Sequence, residues 1–163
     1  MDKFIAFGSK VEDKVTGFQG IVTCCIQHMH DCIRYGVQPE AEEGKVPPKA
    51  RYIDGPDLKV IAPPRPDLPA PIKTPNLFKL GVKAKDILSG MTGILVARIK
   101  YPYAGDRYVL QARVDEKNEI PDVESFDQND LEQIDPPPPK RKKISKESEP
   151  PQGSHDITSA ISR

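Results

Sequence analysis

The chain has 163 residues, with 24 basic and 24 acidic side chains, 18 prolines, 3 cysteines and no tryptophan. That length suits one ordinary domain or two very small ones. No apolar run approaches the roughly 20 residues needed to cross a bilayer, and the first ten residues carry no signal-peptide pattern, so the expectation is a soluble cytoplasmic product without membrane contact.

Charge is unevenly spread. Residues 1–61 carry 8 basic and 9 acidic groups, residues 62–80 carry 3 and 1, residues 81–135 carry 7 and 11, and residues 136–163 carry 6 and 3. The candidate compact parts are therefore mildly acidic, and the positive charge lies between and after them.

In chain order, Val11, Asp13 and Val15 alternate with polar neighbours, which predicts a strand. Gly17-Phe18-Gln19-Gly20 predicts a tight turn, since glycine takes positive φ without steric cost. Ile21-Val22-Thr23 reads as a second strand. A polar bend over residues 28–31 leads to a strand at Arg34-Tyr35-Gly36-Val37-Gln38. A charged loop then leads to a short strand near Tyr52-Ile53. The closing Asp54-x-x-Asp57-Leu58 predicts an aspartate-capped single turn, with the leucine plugging one end of a barrel.

The same series then recurs. Residues 8–61 align without a gap on residues 81–134 at an offset of 73, with 16 identities over 54 positions. Chance supplies roughly three in such a window. Among the identical pairs are Gly8/Gly81, Asp13/Asp86, Gly17/Gly90, Gly20/Gly93, Arg34/Arg107, Tyr35/Tyr108, Gln38/Gln111 and Leu58/Leu131. The expected fold is all-β: two tandem small barrels, over residues 1–62 and 80–135. Each has few large apolar residues, so the two are expected to pack on each other or on a partner.

Between them, residues 63–79 form a proline-rich linker. It reads as an extended spacer able to hold the barrels tens of ångströms apart, or as a strand lying along a groove on its own barrel or a neighbour's. Residues 136–163 read as a disordered basic tail. There Lys140, Arg141, Lys142 and Lys143 could touch nucleic acid.

Lys10-Val11-Glu12-Asp13-Lys14-Val15-Thr16-Gly17-Phe18-Gln19-Gly20-Ile21-Val22-Thr23 resembles the opening hairpin of Src-homology-3-like (SH3-like) barrels of the KOW type. Taken with Cys32-Ile33-Arg34-Tyr35-Gly36-Val37-Gln38-Pro39 and the Ile53-Asp54…Leu58 stretch, it is similar to small uncharacterised proteins encoded by tailed bacteriophages. The resemblance covers residues 8–61 and, more weakly, 81–134. It implies a phage gene product with small-barrel modules and carries over no catalytic residue.

The recurring Arg34-Tyr35 and Arg107-Tyr108 pairs suit either structural ion pairing, with Asp13 and Asp86 as partners, or binding, because guanidinium groups form bidentate bonds and stack on rings. Tyr101 and Tyr103 form an aromatic loop tip that could make contacts. Cys24, Cys25, His28, His30 and Cys32 have zinc-ligand chemistry. Their crowding into nine residues lacks the two separated ligand pairs of a zinc knuckle, so neither metal nor cofactor is expected. No nucleophile elbow, phosphate-cradling loop or triad spacing occurs, and the expectation is a non-enzyme.

Three functions are compatible with these features. One is a virion-associated capsid, neck or tail accessory protein making protein–protein, homo-oligomeric or lattice contacts. Another is an intracellular phage effector that binds a host protein or small molecule. The third is a KOW-type nucleic-acid-binding module, which the acidic barrels disfavour except through the tail. The expected location is the virion, or the host cytoplasm during infection.

Overall fold

The computed structural model describes residues 4–30 and 33–134. Ten strands make one continuous antiparallel sheet, and the only helical turns among the described residues are two single 3-10 turns. The first half holds β1 (Lys10–Asp13), β2 (Gln19–His28), β3 (Ile33–Gln38), β4 (Arg51–Asp54), a 3-10 turn (Gly55–Asp57) and β5 (Leu58–Ala62). The second half holds β6 (Lys83–Asp86), β7 (Thr92–Lys100), β8 (Arg107–Gln111), β9 (Glu124–Asp127), a 3-10 turn (Gln128–Asp130) and β10 (Leu131–Gln133).

Register repeats along with sequence. Lys10 faces Ile21 as Lys83 faces Ile94, and Arg34 faces Asp54 as Arg107 faces Asp127. Even the irregularity recurs, between Val22 and Cys24 and between Leu95 and Ala97. A bulge at one position in both halves bends both long strands alike. Within each half the hydrogen-bonded order is β5-β1-β2-β3-β4, or β10-β6-β7-β8-β9.

The paired glycines do two different jobs. Gly17 and Gly90 have φ of 74° and 79° and open space around them, so they serve the turn. Gly20 and Gly93 serve close approach: a Cβ there would meet the carbonyl oxygen of Gln38 at 2.6 Å or of Gln111 at 2.4 Å. The sequence reading assigned positive φ to all four; at Gly20 and Gly93 it is the absence of a side chain that counts.

Each half has its own apolar cluster. Val11, Val22, Tyr35, Val37 and Leu58 form the first, and Ala84, Leu95, Tyr108, Leu110 and Leu131, at the equivalent positions, form the second. The second half loses volume at Ala84 and regains it at Leu95 and Leu110, as cores tolerate exchange when total volume is kept.

The halves are joined by strand pairing. β2 pairs with β7 so that Ile26 faces Ile99, flanked by Cys25 opposite Lys100 and Gln27 opposite Arg98. An offset of 73 turns each flanking pair into the other, so the junction has a local twofold through Ile26 and Ile99. Such self-complementary contact is the hallmark of an isologous interface.

Residues 63–79 do not hold the halves apart; they lie against the protein. Leu68 and Pro64 cover Gly8, where a Cβ would come 2.8 Å from Leu68 Cδ1. Further on, Tyr103 Oη donates to the Pro69 carbonyl (3.1 Å), Ile72 N–H donates to the Pro102 carbonyl (2.7 Å), and the Thr74 hydroxyl donates to Asp106 Oδ1 (2.6 Å). The spacer reading thereby gives way to a segment lying along the protein's own surface, held by its Pro69 carbonyl and by its Ile72 and Thr74 donors.

Candidate functional site

The cleft containing Arg34 gathers several polar groups of the first half. It encloses about 330 Å³ between the β1–β2 turn, β3, β4 and the 3-10 turn, and is lined by Asp13, Val15, Thr16, Arg34, Tyr52 and Asp54 among others. Cross-strand register sets Arg34 opposite Asp54, and Nε donates to Oδ1 at 2.6 Å. Both side chains are more than 40% exposed, so the pair is worth about 0–1 kcal/mol.

Asp13 is not the partner of Arg34. Its carboxylate closes the turn, accepting the Val15 N–H (3.0 Å) and the Thr16 hydroxyl. Asp86 does likewise for Ser89, accepting both its N–H (2.7 Å) and its hydroxyl. The Thr16 hydroxyl, then the Val15 N–H, hold Asp13 below the ordinary carboxylate range against the opposing effect of burial. Ser89 does the same for Asp86.

In the second half the same residues are wired differently. Position 52 is Tyr and its equivalent, 125, is Ser. Arg107 Nη2 donates to the Ser125 carbonyl (2.6 Å) and Nε donates to its hydroxyl (3.3 Å). Asp127 is left to cap the 3-10 turn through Asn129 N–H (3.0 Å). Asp54 makes no such cap, because Pro56, which has no N–H, stands where the second half has Asn129. The predicted aspartate cap thus forms in the second half alone, while Leu58 and Leu131 are both buried as expected.

Tyr35 and Tyr108 are core residues, 3% and 0% exposed. Tyr35 Oη accepts the Ile5 N–H (3.1 Å), and Tyr108 Oη accepts the Phe78 N–H (3.4 Å). Each tyrosine therefore pins the segment that enters its half. Burial pushes the Tyr108 hydroxyl above its ordinary range, and its O–H lies 3.2 Å from Asn76 Oδ1. The expected Arg-Tyr contact pair is thus revised: the arginines stay near the surface and the rings do not.

Tyr101 is half-buried, and burial, with Cys24 and Tyr52 nearby, raises its hydroxyl. Tyr103 stays half exposed, with its hydroxyl committed to Pro69. The aromatic tip is thus occupied by the protein's own proline-rich segment. Cys24 and Cys25 are buried free thiols, and burial pushes Cys25 up to about 11. Among the described residues no group of three or more His, Cys, Asp and Glu side chains could hold a metal. Cys32 and the run Lys140, Arg141, Lys142, Lys143 lie outside the described residues.

One polar cluster escaped the sequence reading. Arg98 and Asp106 are 4% and 1% exposed, with Arg98 Nε donating to Asp106 Oδ2 at 2.5 Å. The guanidinium also lies 5.8 Å from the Tyr108 ring centroid, and Nη2 reaches the Pro75 carbonyl (3.4 Å). With Thr74 on Asp106 Oδ1, the ion pair anchors the proline-rich segment to the second half. The signal was available: the equivalent positions are Cys25 and Ile33, so two apolar residues are replaced together by opposite charges.

Comparison with protein-family models, with curated proteins and with solved structures finds no match to this chain.

Proposed function

We propose that the protein is a non-enzymatic binding or structural protein of a tailed bacteriophage, a virion-associated accessory component of capsid, neck or tail that works through protein–protein contacts. In this reading each half is a small SH3-like barrel. The five-strand order with a 3-10 turn before the last strand supports that.

The observation that carries the reading is a repeated exposed tip. Val15 and its equivalent Leu88 crown the two β1–β2-type turns, and each is 78% exposed. A large apolar side chain kept at both tips does nothing for either core. Two like tips on a body with a local twofold suit a partner that offers two equal sites, as a dimer or a lattice of subunits does.

The polar groups serve the fold rather than this surface. Asp13, Asp86 and Arg107 are engaged in turns and strand contacts, and Arg34 in an ion pair. Mass spectrometry of purified particles tests the proposal: the expected result is the chain in stoichiometric copies, with Val15→Asp/Leu88→Asp reducing its incorporation. Absence from particles together with early expression in infected cells would move the assignment to an intracellular effector.

A further inference from the structure

The junction between the halves leaves a small cleft that strand pairing does not fill. It holds about 190 Å³ where β2 meets β7, bordered by residues 76–80 of the chain entering the second half. At about 30 Å³ per water it has room for several waters or for one phosphate-sized group. Four polar side chains line it: Gln27 from the first half, and Asn76, Lys79 and Arg98 from the second. All four carry N–H donors, and no carboxylate is among the described residues that line it.

Local wiring leaves several of these donors unused. Gln27 faces Arg98 across β2 and β7, so both side chains rise from one face of the sheet. Arg98 is buried, and Asp106 Oδ2 takes its Nε (2.5 Å) and its Nη2, with Nη2 also 3.4 Å from the Pro75 carbonyl. No acceptor among the described residues meets Nη1. The only buried side-chain atoms without a partner there are Asp86 Oδ1 and Gln128 Oε1, so Nη1 is not sealed in; it opens on the cleft that Arg98 lines. Asn76 is oriented by the core: the Tyr108 hydroxyl, 3.2 Å from Oδ1, makes that atom the acceptor and leaves Nδ2 to donate. Lys79 is exposed and has no ion-pair partner among the described residues.

The fold does not require this set. At the offset of 73, Arg98 and Lys79 correspond to Cys25 and Ala6, while Gln27 corresponds to Lys100. The twofold-related side of the junction therefore lacks the guanidinium and the Lys79 ammonium. Anchoring of the proline-rich segment accounts for Nε and Nη2 of Arg98, and asks nothing of Nη1, Gln27 or Lys79.

We propose that this cleft binds a phosphate group, either free phosphate or the head of a small phosphomonoester. Arg98 Nη1 and Lys79 Nζ supply the charge, and the amides of Gln27 and Asn76 supply further donors. Charge-assisted N–H contacts of this kind are the strong ones. Since Gln27 stands on β2 and Arg98 on β7, the ligand spans the junction, and its binding stabilises the paired arrangement of the halves by mass action. The site is independent of the exposed tips and stands whether or not they meet a partner.

Amide NMR of the full chain tests this. The chain is titrated with inorganic phosphate and, separately, with a nucleoside monophosphate, at constant ionic strength made up with chloride. Amides of residues 27–29 and 76–80 should move together and saturate below about 10 mM, an affinity suited to a few contacts. Tighter saturation by the monophosphate assigns the source to a phosphomonoester; equal or weaker saturation assigns it to free phosphate. Lys79→Ala should weaken binding about fivefold, the loss of one charge-assisted contact at a wet site. Gln27→Glu, which sets a carboxylate against the ligand, should abolish it while the remaining amides keep their wild-type positions. No saturation by either ligand, shifts confined to other basic stretches, or binding unchanged in Gln27→Glu would each overturn the site.

Discussion

Gly36 faces Cys24 across β3 and β2, and a Cβ added to Gly36 would lie 2.5 Å from Cys24 Sγ. The equivalent pair in the second half is Val109 facing Ala97. Bulk has changed strands, from β2 in the first half to β8 in the second, so that in each pair one member stays small where the strands pack closely.

This exchange is testable by urea unfolding. Gly36→Val alone should cost about 1–3 kcal/mol through overpacking. Adding Cys24→Ala reproduces the Val109/Ala97 arrangement and should restore most of that loss. Equal loss in the single and double variants would refute the coupling.

Asp106→Ala should be among the most damaging substitutions. It leaves Arg98 buried without its partner, at a cost of about 3–5 kcal/mol. Replacing both residues by their first-half equivalents, Arg98→Cys/Asp106→Ile, should cost less than the single change, since no lone charge remains. Thermal or chemical unfolding of both variants decides this. Proteolysis after Lys73 should also quicken in Asp106→Ala, because Thr74 loses its acceptor.

The two turn aspartates should behave unequally. Asp127→Ala removes an N-cap and should cost about 1 kcal/mol. Asp54→Ala removes an exposed ion pair with Arg34 and should cost less than about 1 kcal/mol. Paired denaturation curves check the order of the two effects.

Asp13 and Asp86 give stability a sign with respect to pH. Both carboxyls titrate below their unfolded value in the folded protein. Their contribution is therefore complete above an unfolded pKa of roughly 3.9 and is lost as pH falls through the folded values. Asp13→Asn/Asp86→Asn should lower stability at neutral pH and flatten the fall between about pH 4 and pH 2. An unchanged slope would place the acid sensitivity elsewhere.

The offset of 73, the strand-like runs and the glycine-bearing turns were all legible in the residues, because turn geometry and alternation are local properties. So was the buried leucine after each Asp-x-x-Asp. Gln38 and Gln111, recognised only as identities, prove to hold Pro48 and Pro121 by the same side-chain bond. Arg-Tyr was read as a pair, yet adjacent strand residues point to opposite faces, so the two side chains part company.

What sequence by itself determined is the all-β repeat: two series of strands with glycines where side chains cannot fit. Tertiary structure alone decided that Ile26 meets Ile99, that residues 64–68 lie on the first half and residues 69–76 on the second, and that Arg98 and Asp106 are buried together. The physical reason is range. Alternation and turn chemistry act over a few residues, whereas these contacts join segments tens of residues apart, and their strength depends on which surfaces are left uncovered once each half has formed.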